Sequence, residues 1–400
     1  MSEVPIAVDP DYYTTHDAYQ PSDFESETTS LASSIYRGVM ENGRRYQTVR
    51  EGDYWGPSDE QQFESLEAGH LVCLIMEANT PNPLFQAPVK NPKHVLDLGT
   101  GRGSWAVDVA DMFPEANVRG VDLFPPPVEW LPPNCVMEVD DVLQEWTWRQ
   151  PFDLIHLRQM IGAFTIPEWD SVYKRCYNHL QPGGWIEQVE GDPRVTSDDG
   201  SLAKDASIIY MGKAIFAAAD IWGHPLDTLD TMRGAMERAG FVDVHERVYK
   251  WPIGPWPRDS TLKEAGRLHY HQWSAGMEGW TMYFLTKWGT PKPWSKEEVQ
   301  VLIAKIRKEI KDPRKHIYQA ARRVWARKPT EEEIANSSVK QEPVVKQEPI
   351  VKQEPVVKQE PGAQDPIAND PAVQEPVVKQ EPGTQDPVAT EPIVKKEPSP

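Results

Sequence analysis

The sequence predicts an α/β fold: a parallel sheet with helices on both faces, lid helices before it, additional helices after it, and a disordered tail at each end. Three observations predict it. The first is a strand–turn–helix–strand unit between His94 and Leu123. Val95, Leu96 and Leu98 form the apolar run that a buried parallel strand needs. The run ends in a glycine-dense turn, Asp97-Leu98-Gly99-Thr100-Gly101-Arg102-Gly103. Ser104 to Phe113 then places Trp105, Val109, Met112 and Phe113 at helical spacing, closed by Pro114. Asn117 to Leu123 is a second strand that carries Asp122 near its end. The second observation is that this alternation continues. Cys135 to Val139 and Pro151 to Arg158 follow as strands, and Pro167 to Leu180 as a helix with Trp169, Val172, Tyr173, Cys176 and Leu180 inward. A Pro-Gly-Gly turn at residues 182–184 opens another apolar strand. Such an order implies helical crossovers and hence a parallel sheet. The third observation is composition, which separates a balanced middle from two acidic ends.

The formal charge is −19 over 400 residues, and its distribution matters more than its sum. Residues 1–34 contain no Lys or Arg, and residues 330–400 are also acid-dominated. The boundaries are therefore set at 1–34 (tail), 35–329 (folded domain) and 330–400 (tail). Within the domain, 35–92 is a lead-in, 93–250 the α/β core, and 251–329 an aromatic loop with C-terminal helices. With no basic cluster, direct binding to DNA or RNA is not expected, because phosphate contacts supply most such affinity. Cys73, Cys135 and Cys176 have no paired spacing, so neither a disulfide framework nor a zinc site is expected. No apolar run approaches membrane-spanning length, and the acidic N-terminal segment is unlike a signal peptide. A protein of the cytoplasm or nucleus is expected.

Taken in order, Ser34 to Tyr46 predicts a short helix, a glycine stop and an aromatic-basic segment. A helix follows from about Asp59 to Glu77, with Ser58 as N-cap and Gln61 completing a capping box. Beyond the core strands, Ser201 to Trp222 is helical by pattern and is expected to cover the mouth of the site. Asp227 to Ala239 is a helix stopped by Gly240, and Phe241 to Tyr249 alternates as a strand does. Trp251 to Pro257 predicts a rigid aromatic loop, and Asp259 to Lys287 a mostly helical stretch. Two amphipathic segments, Ser295 to Lys311 and Pro313 to Arg327, complete the C-terminal helices.

The C-terminal tail repeats Val-Lys-Gln-Glu-Pro. Its lysines are Lys340, Lys346, Lys352, Lys358 and Lys379, with a variant copy at Lys395. A proline-dense, aromatic-free repeat cannot bury enough surface to offset chain entropy, so it is expected to be extended and disordered. Each unit has the form aliphatic-Lys-x-Glu, the pattern to which SUMO-type modifiers are attached. The bland alternative is an expanded repeat without a role.

A β-turn-α-β unit ending on a carboxylate holds an adenosine-type cofactor at the strand carboxyl ends. A dinucleotide fingerprint would need glycine at position 104, where Ser104 stands; the third glycine comes one residue early, at Gly103. Asp97, just before the turn, disfavours a pyrophosphate and favours an ammonium group. The Asp-x-Gly-x-Gly-x-Gly pattern of Asp97, Gly99, Gly101 and Gly103 resembles the first motif of class I S-adenosylmethionine methyltransferases. That resemblance implies a Rossmann-like sheet, with Asp122 accepting from both ribose hydroxyls and Asp140 or Asp141 taking the adenine amino group. A structural glycine turn in another α/β protein and a nicotinamide-linked enzyme are the alternatives.

A narrower likeness runs from about Ile35 to Arg327. Tyr36 to Tyr46, Pro57-Ser58-Asp59-Glu60, Val95 to Gly103, Phe152 to Arg158, Pro182 to Glu187 and Trp251 to Pro257 together resemble the fungal LaeA-like methyltransferases. The resemblance implies a link to secondary metabolism, as a nuclear regulator bound to a velvet-type protein or as a tailoring enzyme. A cofactor-binding scaffold with little catalysis of its own is the alternative. Methyl transfer from a sulfonium is an in-line displacement that requires neither a covalent nucleophile nor a metal. Holding the reactants in line is worth on the order of 7–11 kcal/mol. The acceptor, a small molecule or a protein, still calls for a base if it is a hydroxyl or amine. His156 is the first candidate, near the reactive methyl with Arg158 and Gln159. Tyr46, on the lid, and Glu187 follow.

Overall fold

The computed structural model describes residues 33–128 and 130–339. The expectations for residues 1–32 and for Lys340, Lys346, Lys352, Lys358, Lys379 and Lys395 lie outside those residues.

The chain opens with α1 (Ser33–Arg37) and a hairpin of β1 (Val39–Glu41) and β2 (Arg44–Tyr46). The aromatic-basic segment is thus a strand, and Asn42-Gly43 is its turn. Both turn residues have positive φ, the conformation that a two-residue hairpin loop demands. Helix α2 (Glu60–Met76) begins one residue later than expected, because Asp59 caps it in place of Ser58. Asp59 Oδ1 accepts from Gln62 N at 3.0 Å, and both carboxylate oxygens take the Arg44 guanidinium at 2.6 and 2.7 Å. Ser58 donates its backbone N–H to Arg45 O at 2.7 Å. The cap and the hairpin are therefore one unit, which hydroxyl-based capping rules alone do not reveal.

The core alternates as β3 (His94–Leu98), α3 (Ser104–Met112), β4 (Asn117–Asp122), β5 (Cys135–Val139), β6 (Phe152–Arg158), α4 (Ile166–His179) and β7 (Leu180–Ser197). Then come α5 (Ser207–Trp222), α6 (Thr228–Ala239), β8 (Val242–Pro252), α7 (Ser260–Trp288), α8 (Lys296–Ile310), β9 (Ile317–Arg327) and α9 (Glu331–Val339). Seven strands form one sheet in the order β5-β4-β3-β6-β7-β9-β8. The five strands from β5 to β7 run parallel, while β9 is antiparallel to both of its neighbours. After β3 the chain builds outward on one side through β4 and β5. It then crosses to the other side of β3 to lay down β6. The seam between β3 and β6 is therefore a topological switch point, where α/β sheets open a crevice at their carboxyl ends.

Side chains alternate across these strands. Leu96, Leu98, Ile155 and Leu157 are wholly buried against Trp169, Val172 and Tyr173 of α4 and Met232 and Met236 of α6. Val95 and Leu154 face the opposite way, onto Trp105, Ala106 and Val109 of α3. A third cluster is helical: α5, α7 and α8 share a core that takes in Tyr46 and Trp55 of the lead-in.

Five expectations change. The segment predicted as a last amphipathic helix is β9, paired with β7 and β8 along its length. Its inward position 323 is an arginine, which broke the apolar alternation. Arg323 is 2% exposed and ion-paired to Glu187 and Glu77. The aromatic loop begins inside a strand, since β8 runs on to Pro252. Helix α5 starts at Ser207, where Glu309 of α8 accepts from Ser207 N and Ile208 N and so supplies the cap from outside the element. The same helix packs on α7 and α8, and it does not border the crevice. The folded chain also continues past residue 329 into α9.

Candidate functional site

The crevice is walled by the glycine turn after β3, the ends of β4, β5 and β6, and the lead-in from Gln47 to His70. Gly99, Gly101 and Gly103 all have positive φ. A Cβ on Gly99 would stand 2.2 Å from Met160 Sδ and would push that flexible side chain aside, while the φ of +68° is what favours glycine there. The turn is fastened to β4: Gly99 N and Thr100 N both donate to Val121 O at 2.9 Å.

Asp97 and His156 are register partners on adjoining strands and point to the same face of the sheet. Asp97 Oδ1 lies 2.7 Å from His156 Nδ1, and Asp97 Oδ2 accepts from Thr100 Oγ1 at 2.7 Å. The imidazole lies flat on Trp105, with centroids 3.8 Å apart. Burial lowers the His156 pKa, with Asp97 opposing the shift. A neutral ring donates from Nδ1 to Asp97. His156 thus lines the crevice but is pinned on one edge and one face, and what it fixes is Asp97.

Asp122 ends β4 and reaches back to the turn. Its Oδ2 accepts from Gly101 N at 2.8 Å and its Oδ1 from Phe124 N at 3.3 Å. Burial raises its pKa to about 6, against the pull of those backbone donors. Asp140 and Asp141 both border the crevice but differ in commitment. Asp141 is buried and accepts from Leu143 N at 3.0 Å and Gln144 Nε2 at 3.1 Å, while the exposed Asp140 accepts from Asp141 N at 2.8 Å. Asp140 has the more available carboxylate.

Two expected residues lie elsewhere. Tyr46 packs against Tyr283, with ring centroids 5.7 Å apart, and is absent from the crevice wall; its neighbour Gln47 is present. Glu187 is wholly buried below the sheet ends, accepting from Gln86 N at 2.7 Å and Ala87 N at 2.8 Å and paired with Arg323. Both of its oxygens are engaged by structural donors, so it is not placed to act as a base. Sequence reasoning missed Tyr54, Gln62 and His70, which do line the crevice. Gln62, Leu66 and His70 recur every four residues, on one face of α2. Two polar groups in an otherwise apolar stripe were the available signal.

The site is suited to an adenosine-bearing cation. Asp122 has backbone partners only, leaving lone pairs for a diol. The three glycines of the turn present no Cβ to a ligand, and the buried Gln62 Oε1 has no protein partner among the described residues. Fold and site together define a class I type α/β methyltransferase. A family model described as a methyltransferase domain matches residues 76–246. Methyltransferase pytC of Aspergillus terreus is 36% identical over 290 residues, covering 72% of this chain and 87% of that protein. The secondary metabolism regulator laeA of Aspergillus fumigatus is 32% identical, over 76% of this chain and 80% of that one. The protein-methionine methyltransferase laeA of Emericella nidulans is 32% identical, over 72% and 76%. The chain belongs to the family of LaeA-like methyltransferases.

Proposed function

We propose that this protein takes a methyl group from S-adenosylmethionine and passes it to an acceptor in secondary metabolism. The observation that carries the reading is the Asp122 carboxylate, drawn onto the Gly101 amide beside the switch point with no cationic partner among the described residues. In that position it accepts from ribose hydroxyls, since a carboxylate offers paired acceptor oxygens. Asp140 is placed for the adenine amino group, and Asp97, held by His156 and Thr100, for the methionyl ammonium. The bound sulfonium supplies an already activated methyl group. The chain's own part is to orient the reactants and exclude water, which Tyr54, Phe63, Leu66 and Phe164 do from the crevice walls.

The link to secondary metabolism is supported by the names of the relatives, some given as methyltransferases and others as regulators. The test is calorimetric titration of the whole chain with S-adenosylhomocysteine. Binding in the micromolar range that is lost in Asp122→Ala supports the reading; binding of a nicotinamide dinucleotide in its place overturns it. Metabolite output in a strain carrying Asp97→Ala then separates two roles. Lost output marks a working transferase. Unchanged output marks a scaffold for a velvet-type regulatory partner.

A further inference from the structure

Three arginines line the crevice, and two of them are neutralised. Arg50 is paired with Asp53 and lies 3.5 Å from Glu168. Arg102 reaches Glu60 at 3.4 Å and Glu67 at 3.7 Å. Arg158 has no carboxylate partner among the described residues. The one hydrogen bond of its guanidinium among those residues runs from Nη2 to His70 Nδ1, at 3.1 Å.

That bond sets the next one. A guanidinium has no lone pair to accept with, so Arg158 donates and His70 Nδ1 accepts. The ring proton is then on Nε2, which lies 2.8 Å from Asp108 Oδ2 of α3. Burial and the Arg158 charge both lower the His70 pKa, in keeping with a neutral ring, although Asp108 opposes them. Asp108 orients His70, and His70 orients a half-buried cation whose other N–H groups have no partner among the described residues. A fixed guanidinium fork with open donors is the geometry that binds a carboxylate in bidentate fashion.

Its place in the sheet says which carboxylate. Leu98 pairs with Leu157, so Arg158 at the end of β6 stands beside Gly99 across the β3–β6 seam. Asp122 stands at the end of β4, on the other side of β3. A ligand whose ribose is held at Asp122 and which crosses the glycine turn presents its amino-acid end at β6. We infer that Arg158 binds the α-carboxylate of the cofactor's methionyl group, with His70 and Asp108 as positioning residues. The inference rests on the cofactor reading above.

The experiment compares two ligands on the whole chain. S-Adenosylhomocysteine carries the amino-acid group; 5′-methylthioadenosine keeps the adenosine and the sulfur and lacks that group. Arg158→Gln is expected to weaken S-adenosylhomocysteine about 10- to 100-fold, the loss typical of a charge-assisted contact. Binding of 5′-methylthioadenosine should be unchanged. Arg158→Lys should restore part of the loss, and His70→Phe should cause a smaller loss confined to the same ligand. Equal weakening of both ligands, or of neither, overturns the assignment, and the second result with a raised acceptor KM would move Arg158 to the acceptor. Should Arg158→Gln fail to fold, the wild-type chain still decides, because equal affinity for the two ligands is incompatible with a carboxylate subsite. A wild-type chain that binds neither ligand removes the cofactor reading itself.

Discussion

At Asp122 burial of a carboxylate raises its pKa to about 6 from an ordinary 3.8, against the pull of its backbone donors. The sign follows from linkage. In the empty protein the raised value means that the fold favours the protonated acid. This group therefore contributes stability below about pH 4 that is lost as the pH climbs to about 6. Ligand binding runs the other way, because ribose hydroxyls donate to the ionised form. Affinity for S-adenosylhomocysteine should fall as the pH drops below about 6, and Asp122→Asn should be weaker at neutral pH with a flattened profile; titrations at pH 5, 6 and 7.5 check both. Gly99→Ala tests the turn, where an added methyl meets Met160 Sδ and the backbone stays at φ +68°. A cost of about 1–3 kcal/mol in urea unfolding is expected from the backbone strain, with loss of ligand binding. The acidic and glycine positions of the site were legible because their chemistry is local: a turn, a strand end, a carboxylate. Tyr46 and Glu187 were not, since a tyrosine on a hairpin and a glutamate on an apolar strand have the same sequence appearance whether they face a ligand or a neighbour.

Among the elements, β9 departs furthest from what periodicity suggests, and Arg323 is the reason. Two carboxylates, Glu77 at the C-cap of α2 and Glu187 of β7, converge on it in a region from which water is excluded. Arg323→Met would leave Glu187 without an ion pair and Glu77 with Arg247 only. A loss of about 3–5 kcal/mol is expected, as for other buried pairs stripped of one partner, read by urea unfolding and relieved in part by adding Glu187→Gln. The parallel strands were recognisable because a strand buried on both faces needs a mainly apolar run, and β3 and β6 have one, interrupted at Asp97 and His156 where the site lies. A strand whose inward position is a paired arginine shows no such run, and its partner charges lie 136 residues away for Glu187 and further still for Glu77. Helix starts were off for a related reason. Asp59 is fixed as a cap by Arg44, and Ser207 by Glu309, contacts made across the fold.

Across the whole molecule, the crevice is assembled from pieces distant in the chain: lead-in residues 47–70 and sheet-end residues 97–164. Long helix α7 holds the lead-in in place. Ser65 Oγ donates to Gln272 O at 2.9 Å, and a Cβ on Gly276 would stand 2.4 Å from that hydroxyl. The two helices thus meet at near backbone distance, and Gly276→Val should loosen the lead-in. The expected result is weaker S-adenosylhomocysteine binding with faster amide exchange in α2 while β3 and β6 stay protected, measured by hydrogen exchange.

The position of β9 has a consequence for how the polypeptide is made. Among the described residues, strand β8 pairs with β9 alone, and β9 is the last strand to be synthesised. As the chain leaves the ribosome, the parallel half can form in sequence, but β8 must wait without a partner beside the open edge of β7. Glu187 waits with it for Arg323. Completion of the sheet and pairing of this buried carboxylate are therefore one late event, set by the arrival of residues 317–327.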